Sequence, residues 1–228
     1  MSRPQSVVSL DPIDRNNKKR SGPIGRFFKT RHFKGKGIKK TDPFGHYLFV
    51  GKQRAGKTLS AIWFYEYLKK NYEKKGKKIV LFSNMGFGLP LFKVNLPDLI
   101  KKCHYDPNIV YIFIIDEIQS YFPKDTKEMS TLRLIDELTG EFSQLGKRQI
   151  YVLSTAQIYG RVNKSLREQC LYMVACRKSR ITNHIVNDFI DGDDVLCDDL
   201  GRWSGEPCKI LVHGLPRSDF DTHRMITS

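Results

Sequence analysis

The chain has 228 residues, of which 40% are hydrophobic, so it is long and apolar enough for one α/β domain and is not a disordered protein. Its formal net charge of +15 indicates a polyanionic partner, either nucleic acid or an anionic membrane. No apolar run reaches the roughly 18 residues of a transmembrane helix, and the N-terminus has no apolar leader core, so we expect a cytoplasmic location. The five cysteines form no CxxC pair, which favours reduced thiols.

Residues 1–40 are predicted to form a flexible basic arm. They contain twelve Lys and Arg residues against two Asp residues, a net charge of +10, together with several Gly and Pro residues. Phe27, Phe28 and Phe33 lie among these cations. Such aromatic residues suit stacking on bases or docking on a partner, and equally suit packing on the protein's own surface.

From residue 41 onward the hydrophobic pattern alternates between strands and helices. Strands are predicted at 46–51, 77–85, 110–117, 149–157, 171–178 and 208–216. Helices are predicted at 58–76 and 127–145, with shorter helical turns within 86–102 and at 165–169. Because the strands are almost continuously apolar, they indicate an α/β fold with a mainly parallel sheet that helices flank on both faces. Residues 180–207 carry little signal, and the acid-rich stretch 188–203 is predicted to be a solvated loop or a subunit contact.

The segment between the first strand and the first helix matches the phosphate-binding pattern G-x-x-x-x-G-K-[ST]. Its glycines allow the backbone to wrap around phosphates, and its N–H groups and the following helix N-terminus attract the anion. Lys57 is predicted to reach the β- and γ-phosphates, and the Thr58 hydroxyl to bind Mg²⁺. The predicted nucleotide-binding residues are Gly51, Lys52, Gln53, Arg54, Ala55, Gly56, Lys57 and Thr58.

Two adjacent acids follow the apolar strand 110–115. Acids at the carboxyl end of a parallel strand reach the same edge of the sheet as the phosphate loop. Asp116 is therefore predicted to hold Mg²⁺ and Glu117 to act as the general base on water, which makes residues 41–228 a P-loop ATPase domain. Helix capping is the alternative role of these acids. The adjacent acids, and the lack of an NKxD guanine-reading sequence, favour ATP over GTP.

A third apolar strand ends in Ser154, Thr155 and Gln157. A glutamine at this tip is predicted to contact the γ-phosphate or the attacking water, whereas a polar loop that caps the next segment is the alternative. Arg148 precedes this strand and Arg161 follows it, and either is a candidate to act in trans on the ATP of a neighbouring subunit.

Taken together, GKQRAGKT, IIDE and LSTAQ resemble the FtsK–HerA superfamily of DNA-pumping ATPases over roughly residues 44–215. Within it, the chain is similar to the genome-packaging ATPases of tailless membrane-containing viruses and to the zonula occludens toxin and filamentous-phage assembly branch. The resemblance implies a RecA-like core, ATP and Mg²⁺, a homo-oligomeric and commonly hexameric ring, and translocation of double-stranded DNA. One departure is that family members commonly read T-Q at the strand tip, where this chain has Thr155-Ala156-Gln157.

Several functions fit these features. The first is a viral genome-packaging motor in the host cytoplasm or the virion, with a portal or membrane protein as a further partner. The loop 86–95 and the segment 119–130 are then candidate pore or partner surfaces. The alternatives are a membrane-associated virion assembly or export ATPase and a nucleotide-gated adaptor. A small-molecule kinase is disfavoured because no arginine-rich lid lies between residues 117 and 149.

Overall fold

A computed structural model describes residues 6–8, 30–32, 42–179 and 184–214. Its ten-stranded sheet has the order β1-β2-β12-β9-β8-β3-β7-β6-β4-β5, and β10 and β11 form a separate hairpin. The strands are β1 Ser6–Val8, β2 Thr30–His32, β3 Gly45–Val50, β4 Lys78–Ser83, β5 Leu89–Pro90, β6 Ile109–Ile115, β7 Ile150–Ala156, β8 Cys170–Lys178, β9 His184–Asp191, β10 Leu196–Cys197, β11 Trp203–Ser204 and β12 Lys209–Gly214. The helices are α1 Lys57–Glu73, α2 Leu96–Lys102, α3 Ile118–Tyr121, α4 Met129–Phe142 and α5 Lys164–Glu168.

The sheet confirms the predicted α/β class. Strands β5, β4, β6, β7, β3 and β8 run parallel, while β9, β12, β2 and β1 continue the sheet in antiparallel pairs. Adjacent residues of β3 face opposite sides: Tyr47 and Phe49 pack towards α1, and Leu48 and Val50 towards α4 and α5. Because both faces are covered, the parallel strands are apolar along their whole length.

The predicted loop 188–203 is wrong for its first four residues, because they belong to the eight-residue strand β9, His184–Asp191. Two polar residues in the middle of β9 interrupt its apolar pattern, so the sequence did not indicate a strand. Asn187 is fully buried and bonds to Ser60 of α1, whereas Asp188 pairs with Arg177 on the neighbouring strand β8. These partners come from distant or cross-strand positions, and they make the polar side chains compatible with a strand.

The predicted division into a basic arm (1–40) and an ATPase domain (41–228) stays a prediction. Apart from β1 and β2, residues 1–40 lie outside the described residues, as do Phe27, Phe28 and Phe33. Within the described part of the chain, no helix is both long enough and apolar enough to cross a membrane.

Strand order brings the predicted phosphate loop, the two acids and the tip of β7 to one edge of the sheet. Strand β7 lies between β3, which leads into the phosphate loop, and β6, which ends in the two acids. All three strands are parallel, so their carboxyl ends point the same way. The tip of β7 is therefore positioned between the loop and the acids.

Candidate nucleotide site

The predicted phosphate loop connects β3 to α1 and has the turn that such a loop needs. The N–H of Gly51 donates to the carbonyl of Ala156 at the tip of β7, over 3.3 Å. The N–H of Ala55 donates to the carbonyl of Lys52 over 3.1 Å, and Gly56 adopts φ +90°, a conformation that favours glycine. Lys57 is 7% exposed, and its ammonium donates to the carbonyl of Lys52 over 3.4 Å, within the loop itself.

A buried polar group fixes the first turn of α1. The hydroxyl of Ser60 lies 2.8 Å from Oδ1 of Asn187 on β9 and 3.1 Å from Nε2 of His213 on β12. The ring of His213 stacks on Trp63 with a centroid separation of 4.6 Å, and burial lowers the pKa of this histidine to about 4. His213 is therefore neutral at pH 7. The start of α1 is therefore held in place by β9 and β12, two antiparallel strands that lie outside the phosphate-loop motif.

The close packing at Gly51 gives a first test of the loop geometry. A Cβ atom at this position would lie 2.6 Å from the backbone carbonyl oxygen of Cys176, so we expect Gly51→Ala to push the loop away from β8. The expected loss is about 1–3 kcal/mol in the free energy of unfolding, with weaker ATP binding. Gly140→Ala on α4 is the control, because a Cβ there meets no atom within 4 Å. Chemical denaturation and nucleotide titration measure both effects; equal stability of the two variants would contradict the packing argument.

Asp116 directly follows β6 and lies beside Thr58, the residue after Lys57 of the phosphate loop. Its Oδ1 accepts hydrogen bonds from the hydroxyls of Thr58, at 2.9 Å, and Thr155, at 2.7 Å. Its backbone exchanges two hydrogen bonds with the side chain of Asn84 at the end of β4. Asp116 is 4% exposed, and its second carboxylate oxygen is buried without a hydrogen-bond partner in the described residues.

These groups fit Mg²⁺. A buried, unpartnered carboxylate oxygen is costly unless a cation or solvent reaches it, and the adjacent Thr58 hydroxyl offers a second hard oxygen donor. The described residues contain no cluster of three or more His, Cys, Asp or Glu side chains that would hold a metal alone. This fits a site in which the protein supplies few ligands and nucleotide phosphates supply the others.

Glu117 has a constrained backbone next to this acid. Its φ of +53° is uncommon for a residue with a side chain, and its N–H donates to Oγ1 of Thr155 over 2.9 Å. The amide of Gln119 donates to its carboxylate, and the hydroxyl of Ser120 donates to its carbonyl. Glu117 and Asp116 line a cavity of about 510 Å³, together with Asn84. The carboxylate of Glu117 therefore has access to water in this cavity, although none of the residues that line it belongs to the phosphate loop.

The other predicted catalytic residues do not lie beside Asp116 and Glu117. Gln157 is exposed and lines a different cavity of about 1010 Å³, beside Gly51 and Lys52. Arg161, in a 3₁₀ turn after β7, is exposed and its guanidinium makes no hydrogen bond or ion pair with the described residues. Arg148 lies before β7, at the opposite edge of the sheet from the loop, where it pairs with Glu141 at 2.5 Å.

Thr155 and Asn84 are the site residues whose roles the sequence did not reveal. The Thr155 hydroxyl bonds to the carboxylate of Asp116 and accepts from the backbone of Glu117, so it joins both acids to the tip of β7. The only sequence signal for either is a polar residue directly at or after the end of an apolar strand. That signal does not say which of Ser154, Thr155 and Gln157 faces the acids.

Comparisons with known proteins bear on the fold. No family model and no curated protein matches the sequence. The N-terminal domain of zonular occludens toxin from Neisseria meningitidis is similar in structure, with 17% identity, a TM-score of 0.50 and coverage of 77% of this chain and 96% of that one. The genome packaging NTPase B204 from Sulfolobus turreted icosahedral virus 2, in complex with ATP-gammaS, has 11% identity, a TM-score of 0.44 and coverage of 73% and 99%. The RadB recombinase has 13% identity, a TM-score of 0.45 and coverage of 64% and 80%.

At these identities the comparisons concern the fold alone. The strand order of this chain, the loop between β3 and α1, and the acids after β6 form the arrangement of a P-loop NTPase. The chain thus has a RecA-like P-loop NTPase fold and resembles the zonular occludens toxin domain in structure.

Proposed function

We propose that this chain is an ATP-driven DNA translocase, the genome-packaging motor of a virus, which hydrolyses ATP at the subunit interfaces of a homo-oligomeric, hexameric ring. The observation that carries the proposal is the hydrogen-bonded set Thr58–Asp116–Thr155–Glu117 at the end of the phosphate loop. It joins the magnesium-binding groups of a nucleotide site to a carboxylate that faces a cavity. The net charge of +15 supports DNA as the substrate that moves.

In this proposal the chain's own residues do three things. The N–H groups of the loop and the ammonium of Lys57 bind the phosphates. Thr58 and Asp116 would hold Mg²⁺, which would supply positive charge that stabilises the phosphate oxygens. Glu117 accepts a proton from the attacking water, and the bond from its N–H to Thr155 fixes the position of its backbone.

In a ring, an arginine of one subunit would act on the ATP that a neighbouring subunit binds. Arg161 suits that role better than Arg148, because its guanidinium is exposed near the nucleotide edge, whereas that of Arg148 is paired with Glu141 at the other edge. Gln157 lines a cavity together with Gly51 and Lys52 of the loop, where it would report the state of the nucleotide to the adjoining subunit. The proposed location is the host cytoplasm or the packaging vertex of the virion, with a portal or membrane protein as partner.

DNA dependence of ATP hydrolysis tests the proposed function. We expect double-stranded DNA to raise the hydrolysis rate severalfold at moderate salt, and the stimulation to decline as salt rises, because phosphate contacts release counterions. Polyglutamate at the same charge concentration is the control for unspecific polyanion effects. A rate that is the same with and without DNA across a range of DNA and salt concentrations would exclude a DNA motor while leaving the nucleotide site intact.

A membrane-associated virion assembly or export ATPase is the second candidate. Three exposed apolar side chains favour it, because Phe92, Val94 and Met129 are 58%, 73% and 77% exposed near the nucleotide edge. Their positions overlap the loop 86–95 and the segment 119–130. In this case the protein would float with anionic liposomes at physiological salt, and DNA would leave hydrolysis unchanged. Slow turnover together with tight, ATP-dependent partner binding would instead support a nucleotide-gated adaptor.

A further inference from the structure

The amino edge of the sheet, opposite the nucleotide site, carries a concentration of lysines. Three segments meet there: the turn between α1 and β4, the end of α2 with the loop before β6, and the turn before β7. We call the exposed lysines of these segments the basic edge: Lys74, Lys75, Lys78, Lys101, Lys102 and Lys147. Lys74, Lys75 and Lys78 belong to the sequence run KKGKK, whereas Lys101, Lys102 and Lys147 lie up to 73 positions away, so the sequence does not show that the six share one surface.

Hydrogen bonds between the three segments make the basic edge one surface. The bonds run from the N–H of Lys78 to the carbonyl of Asn108 at 2.7 Å, from Nζ of Lys77 to Oε1 of Gln149 at 2.7 Å, and from Nη1 of Arg148 to the carbonyl of Ile100 at 3.4 Å. Each bond links two different segments. The relative positions of the lysines are therefore fixed by the fold.

The positive charge of this surface has little internal compensation. None of its six lysines forms an ion pair with a described residue. The carboxylates within the same segments are Glu73 and Asp106, and Asp106 accepts a bond from the N–H of Asn108 at 2.7 Å. Six exposed ammonium groups without an ion-pair partner, beside two carboxylates, leave this surface with a net positive charge that attracts a polyanion.

The chemistry of the surface favours nucleic acid over a membrane. Stable peripheral membrane binding usually combines basic residues with apolar side chains that enter the lipid, and the exposed Phe92, Val94 and Met129 lie at the other edge. Beside Lys102, the basic edge exposes Tyr105, whose hydroxyl suits a hydrogen bond to a phosphate or sugar oxygen. Contacts between lysines and phosphates carry no information about base sequence, as a motor that moves along any sequence requires.

We propose that the basic edge binds the sugar-phosphate backbone of double-stranded DNA, at the edge of the sheet away from the nucleotide. This rests on the proposed function, because it takes DNA as the substrate, and it moves the DNA contact away from the loop 86–95 and the segment 119–130. ATP and DNA then occupy opposite ends of the same parallel strands. Strands β6 and β7 connect the two sites directly.

Fluorescence anisotropy of labelled double-stranded DNA tests this assignment on the full chain. One variant carries Lys101→Gln, Lys102→Gln and Lys147→Gln; a matched variant carries Lys124→Gln, Lys127→Gln and Lys164→Gln, three exposed lysines outside the basic edge. Both lose three charges, and both keep residues 1–40. We expect the first variant to lose at least about tenfold in affinity and the slope of log K against log salt to fall by about 2.7, while the matched variant binds like wild type.

DNA-free ATP hydrolysis separates this proposal from the proposed function, and it should be unchanged in both variants. If wild type hydrolyses ATP and binds DNA but the two variants weaken binding equally, net charge alone is responsible and the basic edge is not the site. Loss confined to the matched variant would place DNA on the segment 119–130 or on α5, and the proposal would be wrong. If wild type binds anionic vesicles and not DNA, the partner is a membrane and the proposal is wrong.

Discussion

Replacement of Glu117 by glutamine should abolish ATP hydrolysis and leave ATP binding intact. Glutamine has the same shape and still accepts a hydrogen bond, but it cannot take a proton from water. We expect the rate to fall by about 10²–10⁴-fold, the contribution of a well-placed general base. Single-turnover hydrolysis and fluorescent-nucleotide binding, measured on the same preparation, provide the two readouts.

Glu137→Gln is the control for this change. Glu137 lies on the exposed face of α4 and pairs with Arg133 one helical turn away, a contact that contributes little. It should hydrolyse ATP at the wild-type rate. Near-normal turnover by Glu117→Gln would mean that another group activates water, whereas loss of binding in that variant would mean that Glu117 shapes the nucleotide site.

The second large effect is expected at Thr155. Thr155→Val keeps the volume but removes the hydroxyl that donates to Asp116 and accepts from the N–H of Glu117. This change leaves a backbone donor unpaired in a half-buried site and costs about 1–3 kcal/mol in the free energy of unfolding. Without this bond the carboxylate of Asp116 is less well positioned, so hydrolysis should need more Mg²⁺ and kcat should fall more than KM rises.

Thr155→Ser distinguishes a positioning role from a packing role. Serine retains the hydroxyl and loses a methyl group, so it should restore the wild-type Mg²⁺ requirement while remaining somewhat less stable. A magnesium titration of ATP hydrolysis, together with urea denaturation, measures both quantities. If Thr155→Val is destabilised but has the magnesium dependence of wild type, the hydroxyl serves the fold alone.

The sequence was sufficient to place the glycine-rich loop before α1 and the two acids after β6. Both patterns can be recognised within a short stretch of residues, because one is a loop between an apolar strand and a helix and the other is a pair of acids directly after an apolar strand. The predicted strands 46–51, 110–117 and 149–157 correspond to β3, β6 and β7 for the same reason. Their apolar runs are long because both faces of a parallel sheet are covered.

Only the tertiary structure decided which residues meet. Strand order placed β7 between β3 and β6, and so it brought Thr155, rather than Gln157, into contact with Asp116 and Glu117. It also showed that β9 is a strand, because the partners of Asn187 and Asp188 are on other elements. The basic edge likewise appears only when three separate segments pack together. Such contacts depend on which strands become neighbours, and long-range pairing leaves no periodic signal in the local sequence.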